Sequence, residues 1–153
     1  MKIVLILPFL TLAGCATPEF QAIFGTAPQA PSTTVVAVAP PPPKNAITVA
    51  DFDTTSQADR DAAVTTVAAA QTRLGTTIAS LGSPTEPGIW LKTPLVTTLT
   101  AGRVIYQGNA INIELRPSGG AAGSGSQISL AAMRLLEAPL TGLPELTVFA
   151  TRP

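Results

Sequence analysis

The chain has 153 residues, in which nine lysine and arginine residues balance nine aspartate and glutamate residues, and it contains no histidine. Charged residues make up only 12% of the sequence and form no basic patch interleaved with aromatic residues, which excludes nucleic acid as a partner. Without histidine, and with a single cysteine at position 15, the usual zinc ligand sets and catalytic triads are also excluded. We therefore assign no catalytic residue, no cofactor and no metal site from the sequence.

The first 15 residues carry the pattern of an export signal. Met1 and Lys2 form a short positive region, and the apolar run over residues 3–12 is too short to span a bilayer. The motif Leu-Ala-Gly-Cys at residues 12–15 resembles the bacterial lipobox. The resemblance implies that a signal peptide over residues 1–14 is removed, and that Cys15 receives a diacylglyceryl group and an amine-linked acyl chain such as palmitate. Two or three acyl chains anchor a protein firmly, so we expect the membrane to be a partner.

A proline-rich segment follows the cysteine. Residues 15–43 contain seven prolines, four of them in the run 40–43, and only one charged residue. Proline favours extended, polyproline-like backbone, so we expect a disordered linker between the lipidated N-terminus and a domain. Ala16 stands where an aspartate retains lipoproteins in the inner membrane in the well-studied sorting system. Its presence favours the outer membrane, facing the periplasm.

We expect residues 44–153 to form one domain, mainly β with two short helices, which is an α+β class. Glycine, proline and asparagine separate short apolar runs, and the clearest hairpin surrounds Gly108-Asn109. About six strands and two helices favour a small barrel or a curled sheet. The predicted elements are a strand over 46–52, a helix from Ser56 to about 71, strands over 75–81, 89–96, 103–106 and 111–116, a flexible loop over 118–126, an extended segment over 127–130, a helix over 131–137 and a strand over 145–150.

The acidic residues permit two interpretations. Asp51 and Asp53 lie two residues apart on or beside the predicted strand 46–52, so both side chains would lie on one face and could bind Ca²⁺ or share a proton. The simpler interpretation, which we favour, is a solvated strand end before a helix N-terminus, where carboxylates are stabilised. Glu114 and Arg116 likewise predict a surface ion pair rather than an acid catalyst.

Two aromatic residues and one glycine-rich loop remain to be interpreted. Trp90 and Tyr106 are each the only residue of their type. Such residues can stack on a sugar or pack in a core, and we favour the core. The glycine-rich residues 119–125 are not followed by the Lys-Ser/Thr pair of a phosphate loop, so a phosphate site is not predicted there.

The C-terminal part resembles the rare lipoprotein A-like double-psi β-barrel, through residues 128–137, which read Ile-Ser-Leu-Ala-Ala-Met-Arg-Leu-Leu-Glu, and the segment 142–148. The resemblance implies a small double-psi-like β-barrel. Ser129 stands where that family has an aspartate, and Ala70 and Gln71 stand where it has a histidine. The family's Asn-Asp-Arg-Gly-Pro segment has no counterpart. If the barrel is present, its peptidoglycan-cleaving site is therefore not expected.

The whole chain also resembles small alphaproteobacterial lipoproteins that are often labelled D-galactarate dehydratase. Residues 75–82, 90–96 and 129–136 carry this resemblance. Dehydration of a sugar acid requires a base beside the acidic carbon and a group that stabilises the enolate, usually a metal ion. This chain has no histidine and no clear cluster of carboxylates.

Two classes of function follow from these observations. The first is a non-catalytic binding module of the cell envelope, whose partner is peptidoglycan or another envelope protein. The second is an enzyme, either a divergent lytic transglycosylase relative or the labelled dehydratase, a lyase. The scarcity of acid and base groups favours the first class.

Overall fold

Six strands close into a barrel in the part of the chain that the computed structural model describes, residues 39–66 and 69–152. The prediction of a mainly β fold of the α+β class with a small barrel is confirmed. The predicted signal peptide over 1–14, Cys15, and residues 16–38 of the predicted linker lie outside the described residues. The strands are β1 (Gln71–Leu81), β2 (Trp90–Thr93), β3 (Thr100–Tyr106), β4 (Asn109–Pro117), β5 (Ser126–Ile128) and β6 (Glu145–Thr151).

The strand order combines parallel and antiparallel pairs. Around the barrel the strands follow the order β1-β5-β2-β4-β3-β6, and β6 pairs with β1 to close it. β1 pairs with β5, and β2 with β4, in parallel, whereas the other neighbouring strands are antiparallel. Because a tight hairpin cannot join parallel strands, the chain must cross over between the members of each parallel pair. The small barrel therefore contains two such crossovers.

In the hairpin of β3 and β4, the residues of β4 alternate between buried and solvent-facing positions, as predicted. Its turn consists of Gln107 and Gly108, with φ angles of 48° and 93°. This is one residue earlier than the predicted Gly108-Asn109 turn, because Asn109 already pairs with Tyr106. Two central residues with positive φ give the turn a twist that matches the twist of the strands.

The core fills the inside of the barrel. Ile111, Ile113 and Leu115 of β4 point inward as their alternation predicted. Gly102 of β3 gives Leu115 its space, since a Cβ atom at Gly102 would lie 2.5 Å from Leu115 Cδ1. The other fully or almost fully buried apolar residues of the core cluster are Ala79, Leu91, Val104, Ile128, Ala132, Met133, Leu136, Ala138, Leu146 and Val148.

The strand predicted over 46–52 is wrong, because part of this segment forms a short helix, α1 (Val49–Phe52). Thr48 Oγ1 accepts a hydrogen bond from the backbone N–H of Asp51 at 3.2 Å. The Asp51 carboxylate accepts one in return from the N–H of Thr48 at 2.9 Å. This capping box begins a helix in a run whose β-branched residues favour a strand.

Two further helices begin at capped positions, so the described residues contain three helices where two were predicted. Helix α2 (Gln57–Val64) begins after Ser56, whose Oγ accepts from the N–H of Asp59 at 3.1 Å, as predicted. It ends well before residue 71, because Gln71 already pairs with Thr151 in the barrel. The third helix is α3 (Leu130–Leu135), and no helix among the described residues is long and apolar enough to cross a membrane.

The last residues of the predicted linker contact the segment that follows them. Ala39 is 6% exposed, and the carbonyl oxygen of Pro40 accepts a hydrogen bond from Thr54 Oγ1 at 2.5 Å. The boundary expected at residue 44 stays a prediction. Strand β2 ends at Thr93, directly before Pro94, since proline has no N–H group to donate to a neighbouring strand.

Candidate functional site

The Trp90 side chain is covered rather than exposed. It lies on β2 beside the core residue Leu91, and its relative exposure is 0%. The loop 82–88 covers it: a Cβ atom at Gly82 would lie 2.4 Å from Trp90 Cη2, and Trp90 Nε1 donates to the carbonyl oxygen of Glu86 at 3.3 Å. The prediction that Trp90 is buried rather than exposed is confirmed, although its ring packs under the loop 82–88 and not in the core cluster inside the barrel. The ring cannot serve as a platform for a sugar.

A network of four charged side chains surrounds this tryptophan. Glu86 accepts hydrogen bonds from Lys92 Nζ at 2.6 Å and from an Arg116 terminal nitrogen at 2.7 Å. Arg116 Nε also donates to Glu114 at 2.5 Å, so the predicted Glu114–Arg116 ion pair is confirmed. Lys92 and Arg116 lie over the Trp90 ring, 4.8 and 5.4 Å from its centroid. The network therefore fastens the loop 82–88 to the outer surface of the barrel.

A polar groove of about 520 Å³ lies next to this network. Lys92 and Gln127 are paired residues on neighbouring strands, β2 and β5, so both side chains lie on one face. The opposite wall is the loop 118–125, where Gly119 and Gly123 have the positive φ angles that favour glycine. The residues lining the groove are Lys92, Pro117, Ser118, Gly120, Ser124, Gly125 and Gln127, and none of these described residues is acidic.

A second, smaller pocket of about 140 Å³ contains two arginines and a buried aspartate. Asp53 follows α1, and only 2% of its side chain is exposed. Its Oδ2 atom accepts a hydrogen bond from Arg134 of α3 at 2.5 Å and forms an ion pair with Arg60 of α2 at 3.2 Å. Its Oδ1 atom accepts from the backbone N–H of Thr55 at 3.3 Å. One carboxylate therefore joins the segment before the barrel to the helix α3.

The two aspartates that could have shared a cation are separated by their partners. A side-chain hydrogen bond with Thr48 and the backbone N–H groups of Thr48 and Ile47 lower the pKa of Asp51 below its ordinary 3.8. Asp53 instead binds two arginine side chains. The described residues contain no group of three acidic, histidine or cysteine side chains that could hold a metal ion. The favoured interpretation of a solvated strand end is wrong, because neither residue lies on a strand and the Asp53 side chain is only 2% exposed.

The positions that match the acid and the histidine of the rare lipoprotein A-like family have structural roles. Ser129 is 1% exposed, and its Oγ accepts from the N–H groups of Ala132 at 3.3 Å and Trp90 at 3.1 Å. It therefore caps α3 and ties it to β2. The carbonyl oxygen of Ala70 accepts from the N–H of Arg152 at 3.0 Å, and Gln71 begins β1.

Sequence reasoning did not single out Glu86, Lys92, Arg60 or Arg134. Trp90 with Lys92, and Glu114 with Arg116, have the spacing that places two side chains on one face of a strand. That spacing could have indicated two outward-facing pairs, although not that the two strands are neighbours. No sequence pattern around Arg60 or Arg134 indicates that the two arginines bind the same carboxylate.

Comparison with known proteins finds no matching family model, no matching curated protein and no matching solved structure. The resemblances drawn from residues 75–96 and 128–148 stay predictions.

Proposed function

We propose that this protein is a lipoprotein of the bacterial cell envelope whose barrel binds peptidoglycan without cleaving it. The lipobox-like motif ending at Cys15 supports a lipid anchor, and Ala16 supports the outer membrane, facing the periplasm. The proline-rich residues 16–43 would carry the barrel away from the membrane surface. The signal, anchor and linker are inferred from the sequence alone.

The observation that carries the proposal is the chemistry of the groove. Peptidoglycan presents hydroxyl, acetamido and carboxylate groups along a repeating chain. The groove offers the Lys92 ammonium, the Gln127 amide and the hydroxyls of Ser118 and Ser124. Lysine donates to carboxylates, and amides and hydroxyls both donate and accept, so each class of group in the polymer has a partner. The exposed Gln127 has no side-chain hydrogen bond to another described residue.

The positions of the acidic groups favour binding over cleavage. Hydrolysis of a glycosidic bond needs a carboxylic acid placed to protonate the leaving oxygen, usually with a second carboxylate on the other side of the bond. Glu86 and Glu114 lie nearby, but both bind Arg116, and neither lines the groove. Dehydration of a sugar acid has the same difficulty, since the described lining residues include no carboxylate or histidine to act as the base.

A pull-down with purified sacculi tests the binding. The full chain should pellet with sacculi, and Lys92→Ala should weaken binding by about tenfold or more, because a hydrogen bond to a charged group contributes about 1.5–3 kcal/mol. Gln127→Ala should cause a smaller loss of about two- to tenfold, as expected for a neutral hydrogen bond. Lys44→Ala is the matched control, because Lys44 is exposed and outside the groove. A wild-type chain that stays in the supernatant would overturn the proposal.

The same preparation tests the enzymatic alternatives. Chromatography of the supernatant should find no soluble muropeptides above a buffer control. D-galactarate incubated with the protein should yield no 2-keto-3-deoxy acid. Muropeptide release that is lost in Glu114→Gln would contradict the non-catalytic assignment and support the transglycosylase alternative.

A further inference from the structure

The small pocket around Asp53 is built differently from an ordinary ion pair. Two guanidinium groups, from Arg60 and Arg134, converge on one carboxylate oxygen, Oδ2 of Asp53. Two positive charges thus meet one negative charge, and the described residues supply no second carboxylate to either arginine. The pocket therefore keeps a net positive charge.

Many of the arginine N–H groups remain available. A guanidinium has five N–H donors in a fixed plane. Arg134 donates one of its terminal N–H groups to Asp53. Arg60 donates its Nε–H to the carbonyl oxygen of Thr55 at 3.3 Å and forms an ion pair with Asp53 through a terminal nitrogen at 3.2 Å. The remaining donors have no acceptor among the described residues. The side chains are 29% and 39% exposed, so a ligand can reach them from solvent.

The pocket has a size and a lining that suit a small anionic group. Its volume of about 140 Å³ is several times the share of about 30 Å³ that one water molecule occupies in the liquid. Ala131 and Leu135 of α3 form an apolar wall beside Arg134, because residues three and four apart share one face of a helix. Arginine pairs bind carboxylate and phosphate oxygens in a bidentate manner.

We propose that Arg60 and Arg134 form a binding site for a single oxyanion group, a carboxylate or a phosphate, and that Asp53 positions the two arginines for it. Asp53 Oδ2 contacts both guanidinium groups, which holds the two arginines close together before the ligand arrives. The apolar wall accommodates a short hydrocarbon part next to the anionic group. This site uses none of the residues that line the polar groove.

The test is a titration of the full chain with inorganic phosphate and, separately, with acetate, each against sodium chloride at the same ionic strength. The probe is the Nε–Hε signals of the arginines in ¹⁵N-labelled protein. We expect saturable shifts of the Arg60 and Arg134 signals, with a dissociation constant on the order of 1 mM for the better anion. Saturation by phosphate alone would assign a phosphate-bearing ligand, and saturation by acetate alone would assign a carboxylate-bearing one.

Two variants separate this site from a purely structural ion pair. Arg134→Lys keeps the charge beside Asp53 but loses the planar fork, and it should weaken anion binding by about tenfold. Arg103→Lys is the matched control, because Arg103 donates to Asn112 at 3.0 Å and does not line the pocket. Wild-type titrations with no saturable shift for either anion would overturn the proposal, whether or not the variants fold. Equal affinities of Arg134→Lys and wild type would also overturn it.

Discussion

Replacing Asp53 by asparagine should destabilise the protein far more than an ordinary substitution of a polar residue. The change keeps the shape of the side chain but removes the charge that Arg60 and Arg134 share at 3.2 and 2.5 Å. The two guanidiniums would then face each other across a neutral amide. Because the Asp53 side chain is only 2% exposed, water cannot replace the lost carboxylate where it stood.

The expected loss of stability in Asp53→Asn depends on how far Asp53 and its two arginine partners are exposed to solvent. Breaking a buried ion pair by removing one charge costs about 3–5 kcal/mol. The arginines are 29% and 39% exposed, so water solvates part of each guanidinium after the change. We therefore expect a loss of about 2–3 kcal/mol in the free energy of unfolding, below the full cost of a buried pair.

Urea denaturation of the full chain measures this loss. With a slope of about 1–3 kcal/mol per molar urea, the midpoint should fall by about 0.7–3 M. The loss should persist in about 1 M sodium chloride, because salt screens buried charges much less than exposed ones. Asp59→Asn is the control, since Asp59 is only half-buried and its carboxylate accepts a side-chain hydrogen bond from Ser56 Oγ at 2.6 Å rather than from an arginine. A loss below about 0.5 kcal/mol for Asp53→Asn, the range of ordinary surface substitutions, would refute the reasoning.

Three other predictions address the anchor, the pH dependence and the core. Cys15→Ser should abolish incorporation of a labelled fatty acid in cells, and equal label in wild type and variant would contradict the lipobox assignment. The pKa of Asp51 is lowered in the folded state, so its stabilisation is present above pH 3.8 and lost as the pH falls further. Acid unfolding should therefore depend less on pH below 3.8 in Asp51→Asn than in wild type, and identical curves would argue against this. Gly102→Ala should lower the free energy of unfolding, measured by urea denaturation, by about 1–3 kcal/mol. The new Cβ would lie 2.5 Å from Leu115 Cδ1 and 2.7 Å from the backbone oxygen of Phe149. An unchanged urea midpoint would contradict this packing.

The sequence predicted those strands and helices that are determined by residues close together in the chain. The alternation of Ile111, Ile113 and Leu115 identified β4 and its inward face, because side chains alternate along a strand. Ser56 and Asp59 identified the beginning of α2, because the capping bond joins residues three apart. The prediction of a strand over 46–52 is wrong because the segment also contains a second capping pair, Thr48 and Asp51, whose three-residue spacing obeys the same rule and outweighs the preference of its β-branched residues for a strand.

The charged sites depend on contacts that no local pattern contains. Asp53 and Arg134 are 81 residues apart in the chain, and Glu86 and Arg116 are 30 apart. Their meeting depends on the crossovers of the barrel, which place β2 beside β4 and bring α3 against the segment before β1. Sequence spacing could therefore identify which residues face outward, but not which of them meet.

Lys92 belongs to both the charge network and the groove, which raises the question of whether its charge is still available to a ligand. Its bond to Glu86 is short, at 2.6 Å, but the two side chains are 34% and 30% exposed. A salt bridge at that exposure contributes only about 0–1 kcal/mol, so a ligand carboxylate can share or replace Glu86 at small cost. The contact with the Trp90 ring, 4.8 Å from the ammonium, does not use the N–H donors as a second carboxylate would. The network therefore holds Lys92 at the edge of the groove while leaving its charge accessible, as the proposed binding of an acidic polymer requires.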